Sequence, residues 1–180
     1  MIRNIWIPFL FVLVSTNCKV KPEPVETASL AAQTLKGELS AKLKEKIVER
    51  GPIGAIGFCN QNALALTAEI SNRLGLHIRR ISNKPRNPAN QMSPGEEEIF
   101  ESIREEGKQD SHRLVTTREN QIVYLPIVLS ENCLVCHGDK ETQIPKDVQN
   151  KLAKLYPTDQ ATGYKVGELR GLFQVTLPKN

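Results

Sequence analysis

Three residues about three-quarters of the way along the 180-residue chain have types and spacing that could do chemistry. Cys133, Cys136 and His137 form the pattern Cys-x-x-Cys-His. Two thiols on one short helical turn can reach the neighbouring vinyl groups of a porphyrin, and the imidazole that follows then lies under the iron. We therefore interpret the pattern as the attachment site of one covalently bound c-type haem, with His137 as an axial ligand.

Two other uses of a Cys-x-x-Cys pair are less favoured. A zinc site needs four ligands, and His77, His112 and Cys59 supply no second pair at finger-like spacing. A thioredoxin-type dithiol normally opens a helix in a β-α-β setting, and the surrounding sequence shows no repeated βα units.

The ligand on the other side of the iron would decide the redox chemistry, because a thiolate lowers the reduction potential and a thioether raises it. Cys59 lies on the apolar stripe of a predicted helix. From the residues alone it is equally well an iron ligand or a small core residue. Met92 fits better as packing under a helix start, and His77 and His112 fit better as surface or hydrogen-bonded residues. His112 is the second choice for the ligand.

Haem propionates need cationic or amide donors. Arg79, Arg80, Lys84 and Arg86 are gathered where a predicted strand meets a loop. Arg79, Arg80 and Arg86 are the candidates for contact with a propionate. A solvated basic edge explains the same cluster equally well.

The N-terminus is typical of an exported protein. Residues 1–17 carry Arg3 and then an apolar run that is too short to span a bilayer as a helix, which needs about 20 residues. We interpret 1–17 as a signal peptide and Cys18, which follows short polar residues, as a lipidated cysteine. Residues 18–26 would be the anchor and an extended tether, on the periplasmic side of a bacterial membrane.

The remaining residues, 27–180, have the length expected of a single domain. Apolar residues make up 39% of the chain and charged residues 24%, which is close to the globular average and argues against wholesale disorder. The formal net charge of +4 is too small to indicate nucleic-acid binding.

Periodicity and turn residues predict the elements that must position these side chains. Amphipathic helices are expected over 26–50 and 53–73, separated by Gly51-Pro52. The first would bury Leu30, Leu35, Leu39, Leu43 and Ile47, and the second Ile53, Ile56, Cys59, Ala63, Leu66 and Ile70. The other predicted elements are a strand over 76–82, a loop over 83–91, a helix capped by Ser93 and running to about 107, a hairpin over 112–117 and 121–129, a helix over 146–155, a loop over 156–163 and a strand over 167–177.

This order of elements indicates an α+β domain with an antiparallel sheet. Long N-terminal helices come first, and the haem motif lies in the C-terminal half after two strands. An all-α cytochrome c is disfavoured, because its haem motif ordinarily lies near the N-terminus.

Several further motifs occur in a fixed order. They are Phe58-Cys59, Arg86-Asn87-Pro88-Ala89-Asn90 with Glu96, Tyr124-Leu125-Pro126, Cys133-Leu134-Val135-Cys136-His137-Gly138, Tyr156-Pro157-Thr158-Asp159-Gln160-Ala161-Thr162-Gly163-Tyr164 and Gly167-Glu168-Leu169-Arg170-Gly171. Together, over residues 27–178, they resemble the c-type-haem PAS-like family, long known only as a domain of unknown function.

The resemblance implies a PAS-like fold in which a long N-terminal helix packs with an antiparallel sheet and the haem lies against the sheet. It also implies that His137 and Cys59 are the two axial ligands. The family is similar to sensor modules that respond to redox state or to gases, so we expect a sensor with a signalling or redox protein as partner and the membrane as anchor. The alternative is a low-potential periplasmic electron-transfer cytochrome. An enzyme is not expected, because no acid–base pair accompanies Cys59 in the sequence.

Overall fold

The structure is a computed structural model that describes residues 22–107 and 111–179. The predicted signal peptide (1–17) and the predicted lipidation site Cys18 lie outside the described residues. The elements are α1 (Pro24–Leu74), β1 (His77–Ile81), a 3-10 turn (Pro88–Asn90), α2 (Pro94–Glu106), β2 (Arg113–Thr116), β3 (Asn120–Val128), a second 3-10 turn (Glu131–Cys133), α3 (Leu134–His137), α4 (Lys146–Leu155) and β4 (Leu169–Pro178). None of the helices in the described part of the chain is long and apolar enough to cross a membrane.

The two predicted N-terminal helices are the two arms of one long helix, α1, which bends at Gly51. Gly51 has φ 67° and ψ −178°, a conformation that glycine adopts readily. Pro52, which lacks a backbone N–H, follows it. We call residues 24–50 the first arm and 52–74 the second arm. The first arm begins at Pro24, inside the segment expected to be an extended tether, because proline is well suited to the first position of a helix.

The buried stripe of the first arm differs from the predicted one. Leu35 is fully buried as expected, but Leu30 is 67% exposed and Leu43 is 39% exposed. Alanines bury the face instead, at Ala28, Ala31 and Ala32. The prediction for Leu30 and Leu43 was wrong. Five residues separate Leu30 from Leu35, which turns it about 140° around the helix from the buried face, and Leu43 lies beyond Leu39, the last residue of the first arm that packs against the core between α1 and the sheet.

The sheet has four antiparallel strands in the order β1-β4-β3-β2. The first strand of the chain, β1, is therefore an edge strand, and its neighbour is the last strand, β4, which lies inside the sheet. Val175 of β4 pairs with Ile78 on one side and Val123 on the other. The α+β prediction with an antiparallel sheet is confirmed.

Alternate residues of these strands face two different layers. The face that packs on α1, which we call the α1 face, is formed by Ile78, Val123, Phe173, Val175 and Leu177. The opposite α2 face is formed by Ile81, Tyr124 and Leu172, and packs on Met92, Phe100 and Ile103. Each face has its own apolar core.

A third cluster holds the short helix α3 in place. Val148, Leu152 and Tyr156 of the α4 region pack on Ile56 in the second arm of α1, and Cys136 lies against them. The Asn60 amide also donates to the Leu155 carbonyl at 3.4 Å. These contacts bring the second arm next to the Cys-x-x-Cys-His segment.

Candidate functional site

The Cys-x-x-Cys-His segment is a 3-10 turn that continues directly into α3. Its two thiols lie against different apolar clusters. Cys133 packs against Leu129, Ala161 and Tyr164, and Cys136 against the α1–α4 cluster. Within the described residues neither is in a disulfide. The structure therefore places two separate, partly buried thiols on one short turn.

His137 is held by a single well-defined hydrogen bond. Its Nδ1 lies 2.8 Å from the carbonyl oxygen of Ala161. A carbonyl can only accept, so Nδ1 carries the proton and the neutral ring keeps its lone pair on Nε2. Burial lowers the pKa of His137 well below its ordinary value, and the nearby charges of Arg86 and Arg170 lower it further. The imidazole is therefore oriented, neutral and able to ligate a metal through Nε2.

The loop that provides Ala161 is tied to the motif by backbone and side-chain bonds. Gly163 N donates to Gly138 O at 2.8 Å, and Tyr164 N donates to His137 O at 3.0 Å. The Tyr164 ring meets the His137 ring edge-on, with 6.4 Å between the ring centroids. These contacts fix the loop and the histidine as one unit.

Arg86 connects a second loop to the same unit. Its Nε donates to Asp159 Oδ2 at 3.0 Å, and its Nη2 donates to Cys136 O at 2.5 Å and to Ala161 O at 3.2 Å. The sequence suggested Arg86 as a propionate contact. The structure places its Nε and Nη2 on protein oxygens around the motif instead.

Cys59, on the second arm of α1, is partly buried and lies near enough to Cys136 for the two thiols to interact electrostatically. Burial raises the pKa of the Cys59 thiol, and the positive charges of Arg80 and Arg86 oppose that rise. The structure thus brings together Cys59 and the Cys-x-x-Cys-His segment, which are far apart in the chain.

Arg79 and Arg80 go to opposite faces of the sheet. Arg79 lies on the α2 face and donates to Glu96 Oε1 at 2.9 Å and to Gln174 Oε1 at 3.0 Å, away from Cys59. Arg80 lies on the Cys59 side, where its Nη2 donates to Ala63 O at 3.3 Å. Its Nε is buried and has no hydrogen-bond partner among the described residues. Burial lowers the pKa of Arg80.

Four residues around the motif were not singled out by sequence reasoning: Asp159, Ala161, Tyr164 and Arg170. Ile127 pairs with Gly171 and Val128 with Leu169, so Arg170 is the extra residue of a β-bulge. Its guanidinium lies 5.4 Å from the centre of the Tyr164 ring and donates to Ser82 Oγ. Burial lowers the pKa of Arg170. The regular alternation expected for 167–177 hides this bulge, and only its Gly-Leu-rich start hints at irregularity.

The other candidate ligands lie elsewhere. Met92 is buried in the α2-face core, under the start of α2 as the sequence predicted. His77 is exposed at the start of β1, and His112 is exposed just before β2. The structure does not bring these three residues to the site.

Among solved structures the fold matches the one described as "Crystal structure of the cyanobacterial heme-protein Tll0287", with a TM-score of 0.66 and 24% sequence identity over 89% of this chain and 98% of that one. No curated protein matches the sequence. The sequence model of the Tll0287-like family, whose description is Tll0287, matches residues 15–178. The chain therefore belongs to the Tll0287-like family.

Proposed function

We propose that this protein binds one c-type haem through Cys133 and Cys136, and that it acts as a redox- or gas-responsive sensor. The observation that carries the proposal is the state of His137, whose Nδ1 is held by Ala161 O so that Nε2 is available beside the two thiols. Metal-ligating histidines characteristically donate their other N–H to a carbonyl or carboxylate in this way. The solved relative is itself described as a heme-protein.

The residues present fit the group. Cys133 and Cys136 would form the thioether bonds, and His137 would be one axial ligand. The buried Nε of Arg80, which lacks a hydrogen-bond partner in the described part of the chain, suits an anionic group on the Cys59 side. A propionate or a thiolate would supply that charge. Arg80 is therefore retained as a propionate contact, whereas Arg79 and Arg86 are engaged by protein groups.

We further propose Cys59 as the second axial ligand. The positive charges of Arg80 and Arg86 near its sulfur would compensate the charge of a thiolate. A His/Cys iron centre supplies one-electron redox chemistry at low potential and, once a ligand leaves, a site for diatomic gases.

A sensing role is supported by where the two ligands lie. His137 is on the short α3, tied to the loop that contains Ala161, whereas Cys59 is on the second arm of α1, beyond the bend at Gly51. Loss of Cys59 from the iron would release one contact of a long helix. A ligand change at the haem could in this way change the position of the first arm, which packs on the sheet.

The export signals belong to the same proposal, since covalent haem attachment is expected outside the cytoplasm. We propose that residues 1–17 direct export and that lipidated Cys18 anchors the protein to the membrane. Fractionation of producing cells checks this: the wild-type protein should sediment with membranes and the Cys18→Ala variant should not.

Haem attachment is tested by producing the protein in a bacterium with cytochrome c maturation machinery. The denatured wild-type protein should retain haem on a gel and give the pyridine haemochrome spectrum of a c-type haem. The Cys133→Ala/Cys136→Ala variant should retain none, and His137→Ala should lose the native low-spin spectrum. His77→Ala and His112→Ala are matched controls and should behave as wild type. A colourless wild-type protein would overturn the proposal.

Ligation and sensing are tested with Cys59→Ser and with carbon monoxide. The ferric spectrum of the wild-type protein should show thiolate ligation, and Cys59→Ser should lose it while keeping covalent haem. Carbon monoxide added to the reduced wild-type protein should shift the Soret band as the sixth ligand is displaced. An unchanged spectrum, with fast reversible electron exchange, would contradict the sensor and support an electron carrier.

A further inference from the structure

The carbonyl oxygen of Ala161 receives two donors. His137 Nδ1 approaches it to 2.8 Å and Arg86 Nη2 to 3.2 Å. The same Arg86 nitrogen also donates to Cys136 O at 2.5 Å. One guanidinium therefore touches both the backbone of the attachment motif and the oxygen that orients the histidine.

The charge of Arg86 is balanced close by. Asp159 Oδ2 accepts from Arg86 Nε at 3.0 Å, and Asp159 Oδ1 accepts from Ala161 N at 2.8 Å. The two side chains are 13% and 10% exposed. Water screens such a buried pair poorly, so removing either charge strongly changes the electrostatic potential at nearby groups.

The hydrogen bonds and charges around the Ala161 carbonyl predict the direction in which Arg86 shifts the reduction potential of the iron. A hydrogen bond from Nδ1 to a carbonyl makes Nε2 a stronger donor to iron, and that stabilises the ferric state. A second donor on the same oxygen competes with Nδ1 and weakens this effect. A positive charge close to the iron also favours the ferrous state, which carries one positive charge fewer.

We propose that Arg86 and Asp159 are a positioning pair that sets the reduction potential of the haem through the Ala161 carbonyl, Arg86 raising it and Asp159 lowering it. This inference rests on the proposed function, because it requires His137 to ligate the iron. The reaction concerned is the addition of one electron from an external reductant to ferric iron, giving ferrous iron.

Opposite shifts of the reduction potential in the Arg86 and Asp159 variants would distinguish this role from a merely structural one. If the pair only held two loops together, Arg86→Gln and Asp159→Asn would disturb the site in similar ways. If the pair tunes the iron, Arg86→Gln removes both the competing donor and the positive charge, and the potential falls. Asp159→Asn has nearly the same size and keeps one of the two acceptor oxygens but removes the negative charge, and the potential rises.

The experiment is a potentiometric titration of the purified holoprotein, with dithionite as reductant and mediator dyes. Arg86→Gln should lie below wild type and Asp159→Asn above it. Arg86→Lys, which keeps the charge but cannot repeat all three hydrogen bonds, should lie between wild type and Arg86→Gln. Resonance Raman spectra of ferrous protein with an open sixth position, made in the Cys59→Ser background, should show a higher iron–histidine stretching frequency in Arg86→Gln.

Lys84→Gln is the matched control, because Lys84 is on the same loop and donates to Thr162 O rather than to Ala161 O. It removes one positive charge, and it should change the potential less than Arg86→Gln without moving the iron–histidine stretch. Shifts of Arg86→Gln and Asp159→Asn in the same direction, or no shift, would overturn the inference. Where Arg86→Gln fails to fold, Arg86→Lys and Asp159→Asn still give the two signs. A wild-type protein without haem would instead overturn the proposed function.

Discussion

The two faces of the sheet differ in how completely the polar groups of their arginines are paired. Arg79 and Arg80 are neighbours in β1 and lie on opposite faces. On the α2 face, Arg79 donates to Glu96 and Gln174. On the Cys59 side, Arg80 keeps one 3.3 Å bond to Ala63 O and a buried Nε for which the described residues supply no partner. A satisfied buried group stabilises a fold, whereas an unsatisfied one costs free energy unless another molecule pairs with it.

On the α2 face, a network of hydrogen bonds has the Glu96 carboxylate at its centre. Gln174 Nε2 donates to Glu96 Oε1 at 2.7 Å and lies 3.1 Å from the Tyr124 hydroxyl. The other carboxylate oxygen, Oε2, accepts from Ser93 N at 2.9 Å and so completes the capping box of α2. One buried carboxylate thus joins β1, β4 and the start of α2. We interpret this network as structural and the Cys59 side as built for a ligand.

The largest loss of stability is expected from Glu96→Ala. The substitution removes the carboxylate that pairs with Arg79, leaves the Gln174 amide with fewer partners and breaks the capping box. We expect the free energy of unfolding, measured in urea, to fall by about 3 kcal/mol. Glu98→Ala, at an exposed position of the same helix, is the control and should cost less than about 0.5 kcal/mol.

The haem spectrum tests whether a substitution on the α2 face affects the Cys59 side of the sheet. It should be unchanged in folded Glu96→Ala protein, because the network lies across the sheet from Cys59. A clear spectral change at a temperature where the variant is fully folded would show that the faces are coupled.

Gly171→Ala should affect both faces at once. A Cβ built at Gly171 would lie 2.3 Å from the carbonyl oxygen of Ile81, so β1 would have to move away from β4. Overpacking of this kind costs about 1–3 kcal/mol, and β1 carries both Arg79 and Arg80. Thermal unfolding should show the loss of stability, and the Soret band should shift as Arg80 moves.

Gly37→Ala is the matched control for that substitution. No described atom lies within 4 Å of a Cβ built at Gly37, in the first arm of α1. Alanine in a helix interior is better than glycine by about 0.5–1 kcal/mol, so this variant should be slightly more stable with an unchanged spectrum. A Gly171→Ala protein as stable as wild type would mean that β1 and β4 separate without cost.

Much of the fold could be predicted from local sequence signals. The capping box at Ser93 and Glu96 and the alternating strands are short-range patterns, and the structure confirms the helix and strands that they predicted. The bend at Gly51-Pro52 was also visible. The exposure of Leu30 was predictable once the buried face was known to be centred on Leu35, because the two positions are about 140° apart around a helix. The choice of that face, which alanines cover, depends on packing against the sheet.

The candidate site was only partly predictable. The Cys-x-x-Cys-His spacing is local and identifies its own chemistry. The roles of the arginines depend on partners far away in the chain: Arg79 on Glu96 and Gln174, and Arg86 on Asp159. Arg170 depends on a β-bulge, which is a property of the pairing between two strands and leaves little trace in either strand alone.

Controls apart, the smallest change in stability is expected from Arg80→Met, which is compared with Arg79→Met. Arg79→Met should cost about 1–2 kcal/mol in urea, because it leaves the Glu96 carboxylate, whose side chain is 9% exposed, without its cation. Arg80→Met should change the folding free energy by less than about 1 kcal/mol, because removing a poorly paired buried cation also removes its desolvation cost. The reduction potential should reverse this order: it should fall in Arg80→Met, which loses a positive charge near Cys59, and stay unchanged in Arg79→Met. If Arg80→Met destabilised the protein as much as Arg79→Met and left the potential unchanged, Arg80 would be a structural residue like its neighbour, and the difference between the two faces would disappear.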